Sequence, residues 1–195
     1  MYKRQPEPQV GYGRGRVEAI SDGVVAVAIT LLALGIEAPK LAAGETLWQS
    51  FDTQTLSQIG LFLLSFFLIA RFWLLHHRLF RELPDVLPIS FVVLNFAFLA
   101  ALCLMPFATK TYSENANDLT ALTIYTIVIA ITTLLLSLMF SRTKARKFSQ
   151  LALPVTIVLL AIPVGYFIGP RYALFVWASL FFVGGGRLDR LRHRH

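Results

Sequence analysis

Six apolar segments, separated by short polar breaks, form the pattern of the chain. They cover residues 17–36, 56–75, 87–107, 119–140, 151–168 and 172–183. A helix that crosses a bilayer needs about 20 mostly apolar residues, and the first four segments reach this length. The fifth carries Pro154 and Pro163, which membrane helices tolerate when neighbouring groups satisfy the freed carbonyls. The pattern therefore predicts an all-α membrane protein with six transmembrane helices, of which the sixth is the shortest.

The two ends of the chain are polar. Residues 1–15 are rich in Gly and Pro and lack the apolar core of a signal peptide, so we expect a disordered cytoplasmic tail. Residues 187–195 are basic and are expected to form a second cytoplasmic tail. The predicted six-span domain thus covers residues 16–186.

Composition supports a membrane protein. Hydrophobic residues make up 56% of the chain and charged residues 15%, against about 25% charged residues in soluble domains. The net charge of +7 would suggest nucleic-acid binding on a soluble domain, but on so apolar a chain it is better explained by membrane topology. The single cysteine, Cys103, excludes a disulfide within one chain and a cysteine-based zinc site.

The distribution of basic residues predicts the orientation of the six spans. With the amino terminus in the cytoplasm, the two tails and the second and fourth breaks all lie on the cytoplasmic side. The basic residues there are Lys3, Arg4, Arg14, Arg16, Arg71, Arg78, Arg81, Arg142, Lys144, Arg146, Lys147, Arg187, Arg190, Arg192 and Arg194. Only Lys40, Lys110 and Arg171 fall on the other side. This asymmetry follows the positive-inside rule and predicts that both termini are cytoplasmic.

Several polar residues are predicted to lie inside the membrane at a similar depth. At 1.5 Å per residue, Asp22 lies about 9 Å, Arg71 about 10 Å and Asn95 about 12 Å from the cytoplasmic end of its span. An unpaired carboxylate there costs a few kcal/mol or more, so Asp22 must face protein or water. We therefore expect a hydrogen-bonded cluster between the first three spans, formed by Ser21, Asp22, Arg71, Trp73, His76, His77 and Asn95.

This cluster allows two interpretations. It could be a structural clasp between helices, or a proton relay through His76, His77 and Asp22, because polar groups inside membranes both hold helices together and mark functional regions. Adjacent histidines on a helix diverge by about 100°, so His76 and His77 are poorly placed to bind one metal ion. We expect no metal site.

The opposite face of the first segment is apolar. Gly23, Val27, Leu31 and Leu34 fall within a stripe about 80° wide, and Thr30 lies at its edge. Such a stripe could pack against another helix or face lipid. It could also form a constriction around a symmetry axis, where apolar side chains gate ions by dewetting.

A family resemblance favours the constriction. The first segment contains the sequence Arg16-x3-Ile20-Ser21-Asp22-Gly23, followed by Ala28-x-Thr30-Leu31-Leu32. This sequence resembles the RxxxFSD signature and first helix of the transmembrane-protein-175 family, the family of the endolysosomal potassium channel. The second span, with Arg71-Phe72-Trp73-x2-His76-His77-Arg78-x-Phe80, and the third span, from Asn95 to Phe107, resemble it as well. Ile20 stands where the signature has phenylalanine, and Val27 where a larger aliphatic residue is usual.

The resemblance implies a homotetramer of six-span subunits in the cell membrane, whose first helices line a central pore. By position, Val27, Leu31 and Leu34 would form the hydrophobic constriction, and Thr30 a hydroxyl layer for potassium. Arg16, Ser21 and Asp22 would lock the pore helix to the second and third spans. The chain would then be a potassium-permeable cation channel of the prokaryotic branch, with no cofactor, K⁺ as permeant ion, and lipid but no nucleic acid as further partner.

A second function remains open at this point. A secondary transporter or proton-conducting carrier could use Asp22 and His76 or His77 as its working groups. An enzyme is not predicted, because no nucleophile-base pair or metal-ligand set emerges from the sequence.

Overall fold

The structure is a computed structural model, and it describes residues 11–39, 41, 43–44, 46–48, 53–143 and 155–179. The longer elements are α1 (Arg14–Ala33), α2 (Thr53–Arg81), α3 (Ile89–Cys103), α4 (Met105–Glu114) and α5 (Leu119–Ser141). They are followed by α6 (Ala161–Phe167), a 3-10 turn (Pro170–Tyr172) and α7 (Ala173–Ser179). Residues 155–159 are also helical and lead into α6, so Val155–Phe167 is one apolar helical stretch. Two short strands, β1 (Tyr12–Gly13) and β2 (Val86–Leu87), complete the described part.

Three helical segments are long and apolar enough to cross a membrane. They are Gln54–Arg81, Ile89–Glu114 and Leu119–Ser141. Val155–Phe167 is apolar but shorter, and α1 is not among the three although it has 20 residues. Arg16, Glu18 and Asp22 lower its apolar character. The chain is thus a mostly helical membrane protein, and six complete spans with two cytoplasmic termini stay a prediction.

The third predicted segment is longer than its hydropathy indicated. It divides at Leu104 into α3 and α4, with Pro106 in the first turn of α4, where its missing amide proton leaves no hydrogen bond unmade. We expected the segment to end near residue 107, but α4 continues to Glu114. The reason is that Thr109 and Tyr112 are buried in the bundle in spite of their polar atoms.

These polar atoms bond to the neighbouring helices. Thr109 donates to Ser65 of α2 (2.9 Å), and Ser65 shares a hydrogen bond with the hydroxyl of Tyr125 on α5 (2.8 Å). Tyr112 donates to the carbonyl of Pro170 (2.8 Å) and stacks on Tyr125 with ring centroids 5.7 Å apart. The ring of Trp177 on α7 lies against Tyr125 at 4.6 Å. Hydroxyl groups and aromatic rings therefore join α2, α4, α5 and α7 into one core.

Helix α5 begins at a side-chain cap. One carboxylate oxygen of Asp118 accepts hydrogen bonds from the backbone amides of Thr120 (2.6 Å) and Ala121 (3.0 Å). These bonds hold the pKa of the Asp118 carboxyl below its ordinary value, and the bond from Ala121 has the largest effect. The charged carboxylate thus satisfies two amides that have no acceptor inside the helix.

The amino-terminal segment differs from the expected disordered tail 1–15 in its last residues. Tyr12 and Gly13 pair antiparallel with Leu87 and Val86, and α1 already begins at Arg14. A two-residue strand pair gives too little pattern in the sequence to be predicted. Residues 1–10 and the predicted basic tail 187–195 lie outside the described residues, as do parts of the fifth and sixth predicted segments.

At Gly165, α6 packs closely against α5. A Cβ atom at this position would meet Cδ2 of Leu122 at 2.9 Å and Cδ1 at 3.0 Å. Leu122 is fully buried, so its methyl groups have little room to move. The absence of a side chain at Gly165 therefore lets the two helices touch.

We predict that Gly165→Ala destabilises the protein by about 1–3 kcal/mol, because the added methyl group overpacks a closed contact. Gly60→Ala is the matched control, since a Cβ at Gly60, also within a helix, meets nothing within 4 Å. That change should be neutral or stabilising by up to about 1 kcal/mol through helix propensity. Thermal unfolding in detergent measures both. Leu122→Val should relieve the Gly165→Ala defect, and equal melting temperatures for the two glycine variants would contradict the packing.

Candidate functional site

Helix α1 has one buried face. Its buried residues recur at intervals of three or four along the helix and are Val17, Ser21, Val25, Ala28 and Leu32. This spacing places them on one stripe, which packs against α2, α3 and α4. Ser21 is the only polar member of the stripe and is fully buried. The packing fixes the rotation of α1 about its own axis.

The opposite face of α1 is uncovered in the single chain. Val27 is 56% exposed, Leu31 43% and Leu34 75%, and Gly23 and Thr30 are exposed as well. All five residues of the predicted apolar stripe thus lie on the side that packs against nothing in the described protomer. The hydroxyl of Thr30 donates to the carbonyl of Val27 (2.8 Å), which leaves its oxygen lone pairs free to face outward.

Two polar contacts fix the position of α1 along α2. Oδ1 of Asp22 accepts a hydrogen bond from the indole nitrogen of Trp73 (2.8 Å). Four residues earlier on α1, Oε1 of Glu18 lies 3.2 Å from Nδ1 of His77, which is four residues later on α2. Because both pairs are spaced by four residues, two antiparallel helices can make both contacts along one line of their interface, which we call the seam. Trp73 and His77 also stack, with ring centroids 5.8 Å apart.

A separate, fully buried chain of hydrogen bonds joins α2, α3 and α1. Nε2 of His76 lies 2.8 Å from Oδ1 of Asn95, and Nδ2 of Asn95 donates to the hydroxyl of Ser21 (3.0 Å). Ser21 in turn donates to the carbonyl of Val17 (2.8 Å). All three side chains are inaccessible to solvent. Asn95 thus connects the second helix to the first, and both ends of its amide are used.

The direction of these bonds sets the state of His76. Since an amide oxygen only accepts, Nε2 of His76 must carry the proton that it shares with Asn95. The imidazole ring lies between Phe80 (4.3 Å between centroids) and Phe98 (5.4 Å). Within the described residues its Nδ1 has no hydrogen-bond partner. The ring is therefore held by one hydrogen bond and two aromatic contacts.

The structure divides the predicted polar cluster into two groups. Ser21, His76 and Asn95 form the buried chain, whereas Asp22, Trp73 and His77 lie on the more exposed seam. Of the other predicted residues, Arg16 is exposed on the first turns of α1, and Arg71 is half-buried on α2. The two adjacent histidines thus take different partners on different sides of α2.

Sequence reasoning missed Glu18, the partner of His77. The signal was present, because Glu18 and Asp22 are separated by four residues, as are Trp73 and His77. Among the described residues no group of three histidine, cysteine or acidic side chains could hold a metal ion. The chemistry of the site thus consists of hydrogen bonding and of an apolar surface.

Comparison with known proteins links this arrangement to a family. Residues 16–106, which contain all but the first two residues of α1 and the whole of α2 and α3, match the family model described as the endosomal/lysosomal potassium channel TMEM175. A potassium channel of Streptomyces collinus is 36% identical over 104 residues, which are 53% of this chain and 50% of that protein. A potassium channel of Chamaesiphon minutus is 36% identical over 109 residues, which cover 51% of this chain and 49% of that protein. The chain thus spans about half the length of the curated relatives it matches.

A solved structure extends the similarity to most of the fold. The crystal structure of a lysosomal potassium-selective channel TMEM175 homolog from Chamaesiphon minutus superposes with a TM-score of 0.77 at 25% sequence identity. The match covers 93% of this chain and 98% of that one. Sequence similarity in the first three helices and the shared architecture of the whole chain point to the same kind of protein. The chain is thus similar to the TMEM175 family of potassium channels in the sequence of residues 16–106 and in its overall fold.

Proposed function

We propose that the chain is one subunit of a potassium-permeable cation channel, which conducts passively through a central pore. Its relatives from Streptomyces collinus and Chamaesiphon minutus are named potassium channels, and the superposed structure is described as potassium-selective. The pore is lined by α1 from each of four subunits. The protein works without a cofactor, spans the plasma membrane of the cell with both termini in the cytoplasm, and has lipid and its own copies as partners.

The observation that carries this proposal is the uncovered apolar face of α1. A helix that bears Arg16, Glu18 and Asp22 is poorly suited to face lipid along its length. Around a fourfold axis, Val27, Leu31 and Leu34 from four copies would face one another and form an apolar ring in each layer. A narrow apolar ring excludes water and therefore resists ions without any moving plug. Val27 is smaller than the leucines and makes the widest of these layers.

Thr30 supplies the one polar layer of the constriction. Its hydroxyl proton is bound to the carbonyl of Val27, so the oxygen presents lone pairs rather than a proton to the pore. A ring of four such oxygens can replace part of the hydration shell of a potassium ion. Selectivity in this channel therefore depends on a side-chain hydroxyl.

The buried chain His76–Asn95–Ser21 acts as a clasp that holds the pore helix. If α1 rotated or slid, the polar atoms of these three side chains would lose their hydrogen-bond partners inside the bundle. Leaving one such group unpaired costs about 1–3 kcal/mol. Asp22 and Arg16 belong to the same holding function, Asp22 through Trp73. The carrier hypothesis is less favoured, because Asp22, His76 and His77 have three different partners and form no continuous relay within the described contacts.

We predict that Leu31→Asn and Leu34→Asn each raise potassium flux. Asparagine has a similar volume but offers water and ions a hydrogen-bonding group, so the dewetting barrier falls. A tenfold rise in flux would correspond to a barrier lower by about 1.4 kcal/mol. Bilayer recording of the purified protein under asymmetric potassium and sodium measures the change. Leu134→Asn on α5 is the control, because Leu134 is 42% exposed, close to the 43% of Leu31, but belongs to a different helix.

The control should affect insertion or stability and leave unitary conductance unchanged. If Leu31→Asn and Leu34→Asn both assemble and conduct like the unmodified protein, α1 does not line the pore.

Thr30→Ala should lower the preference for potassium over sodium more than it lowers the total current, because it removes an oxygen layer and widens the pore. Reversal potentials under bi-ionic conditions report this preference directly. An unchanged reversal potential in a variant that still conducts would assign selectivity to another layer.

Asn95→Ala is predicted to destabilise the assembly by about 1–3 kcal/mol, because it leaves His76 and Ser21 without their shared partner. Size-exclusion chromatography of the detergent-solubilised protein should show loss of oligomer. Val93→Ala is the control, since Val93 is exposed on the same helix and its removal breaks no hydrogen bond. A stable Asn95→Ala oligomer with altered proton flux would instead support the carrier.

A further inference from the structure

The residues that precede α1 are bound to the loop that follows α2. Tyr12 and Gly13 pair with Leu87 and Val86, and the backbone amide of Arg14 donates to the carbonyl of Asp85 (2.8 Å). At Gly11 the two segments of the polypeptide lie so close that a Cβ atom would be 2.5 Å from Cγ1 of Val86. The same Cβ would be 2.8 Å from the carbonyl oxygen of Leu87, which belongs to the backbone. Residues 11–14 are thus held along their length by the loop between α2 and α3.

The side chain of Arg14 extends this contact to the end of α2. Nη1 donates to the carbonyl of Leu83 (2.6 Å) and approaches that of Phe80 (3.5 Å). Nη2 forms an ion pair with Oδ1 of Asp85 at 2.9 Å. Phe80 belongs to the last turn of α2, which ends at Arg81, and Leu83 follows two residues later. One guanidinium therefore binds two backbone carbonyls and one carboxylate around the carboxyl end of α2.

Helix electrostatics explain this direction of the side chain. Arg14 is the first residue of α1, where the positive end of the helix dipole disfavours a cation. The carboxyl end of the antiparallel α2 carries partial negative charge on carbonyls that lack an intrahelical donor. By reaching across to α2, Arg14 removes its charge from the unfavourable end and satisfies carbonyls at the favourable one. The carbonyl contacts dominate, because the Asp85 side chain is 91% exposed and that of Arg14 only 31%.

We propose that Arg14 is a positioning residue for the pore helix, and that it holds the amino-terminal end of α1 on the carboxyl end of α2. This inference rests on the proposed channel function, in which α1 lines the pore. Arg14 lies outside the Arg16 to Asp22 signature and does not face the apolar stripe. It acts through the helix: with its first turn fixed, α1 keeps Val27, Leu31 and Leu34 at a constant position around the axis.

The first test measures the position of α1 without relying on conduction. Hydrogen exchange of residues 18–24 reports the first complete turns of α1, whose amides bond to carbonyls 14–20. In Arg14→Ala these amides should exchange at least about tenfold faster, because the end of the helix opens locally. Asp85→Asn is the matched control, since it removes only the exposed ion pair and should exchange like the unmodified protein. Arg14→Lys should lie between the two, because an ammonium cannot bind three acceptors in the planar arrangement of a guanidinium.

The second test links this position to the channel. In bilayer recordings, Arg14→Ala should shorten the mean open time at least about threefold and leave unitary conductance unchanged, because α1 is held less firmly while the residues of the apolar constriction are unaltered. A residue with only a structural role would reduce the number of active channels and leave the open time of the remaining ones unaltered. The open time therefore separates positioning from folding.

A disulfide between Gly13→Cys and Val86→Cys should reverse both effects in the Arg14→Ala background. Cα atoms of paired antiparallel residues lie about 4.5–5.5 Å apart, within the range of about 4.4–6.8 Å that a disulfide accepts. A Cβ at Gly13 meets nothing within 4 Å, and Cys103 is replaced by alanine to prevent mispairing. Oxidation should restore slow exchange and long openings, and reduction should abolish the rescue.

Each outcome decides the inference. Unchanged exchange in Arg14→Ala overturns it, and so does faster exchange with an unchanged open time. If the unmodified protein carries no current, the proposed function fails, and exchange with its disulfide rescue still decides whether Arg14 positions α1.

Discussion

The buried amide of Asn95 is the constraint on which the arrangement of the first three helices depends. It accepts from His76 and donates to Ser21, so a single side chain on α3 connects α2 to α1. Inside a membrane-spanning bundle no bulk water can replace either partner, and the three helices must therefore meet in one relative position. The two pairs on the seam, Asp22 with Trp73 and Glu18 with His77, fix the same position of α1 along α2.

This constraint explains why the apolar stripe of α1 is uncovered. With Ser21 turned inward, the residues on the same face of the helix, Val25, Ala28 and Leu32, are buried as well. Val27, Leu31 and Leu34 then point away from the protomer by helix periodicity alone. Polar groups determine the orientation of the helix, and the apolar residues follow. Mutations in the clasp should therefore disturb the stripe without changing any of its side chains.

The sequence was sufficient where a feature repeats along a helix, and insufficient where it depends on a single contact. The main helices, the exposed stripe and the grouping of Ser21 with Asn95 follow from hydropathy, periodicity and depth. The strand pair of Tyr12 with Leu87 involves two residues, and the reach of Arg14 to Leu83 depends on where the α2–α3 loop lies, so neither has a sequence pattern. The third segment was predicted to end too early, near residue 107, because Thr109 and Tyr112 are polar and their buried hydrogen bonds to Ser65 and Pro170 leave no pattern in the sequence.

The composition of α1 argues for more than one copy of the chain. Its 20 residues reach about 30 Å, one hydrocarbon thickness, yet it carries four charged side chains and is not among the helices apolar enough to cross a membrane. The clasp and the seam satisfy its polar groups on one side only. On the other side, Gly23 and Thr30 interrupt an otherwise apolar surface, and small residues of this kind allow close contact with a second helix. A helix that is poorly suited to face the bilayer is for this reason the one to which we assign the pore lining in the proposed channel.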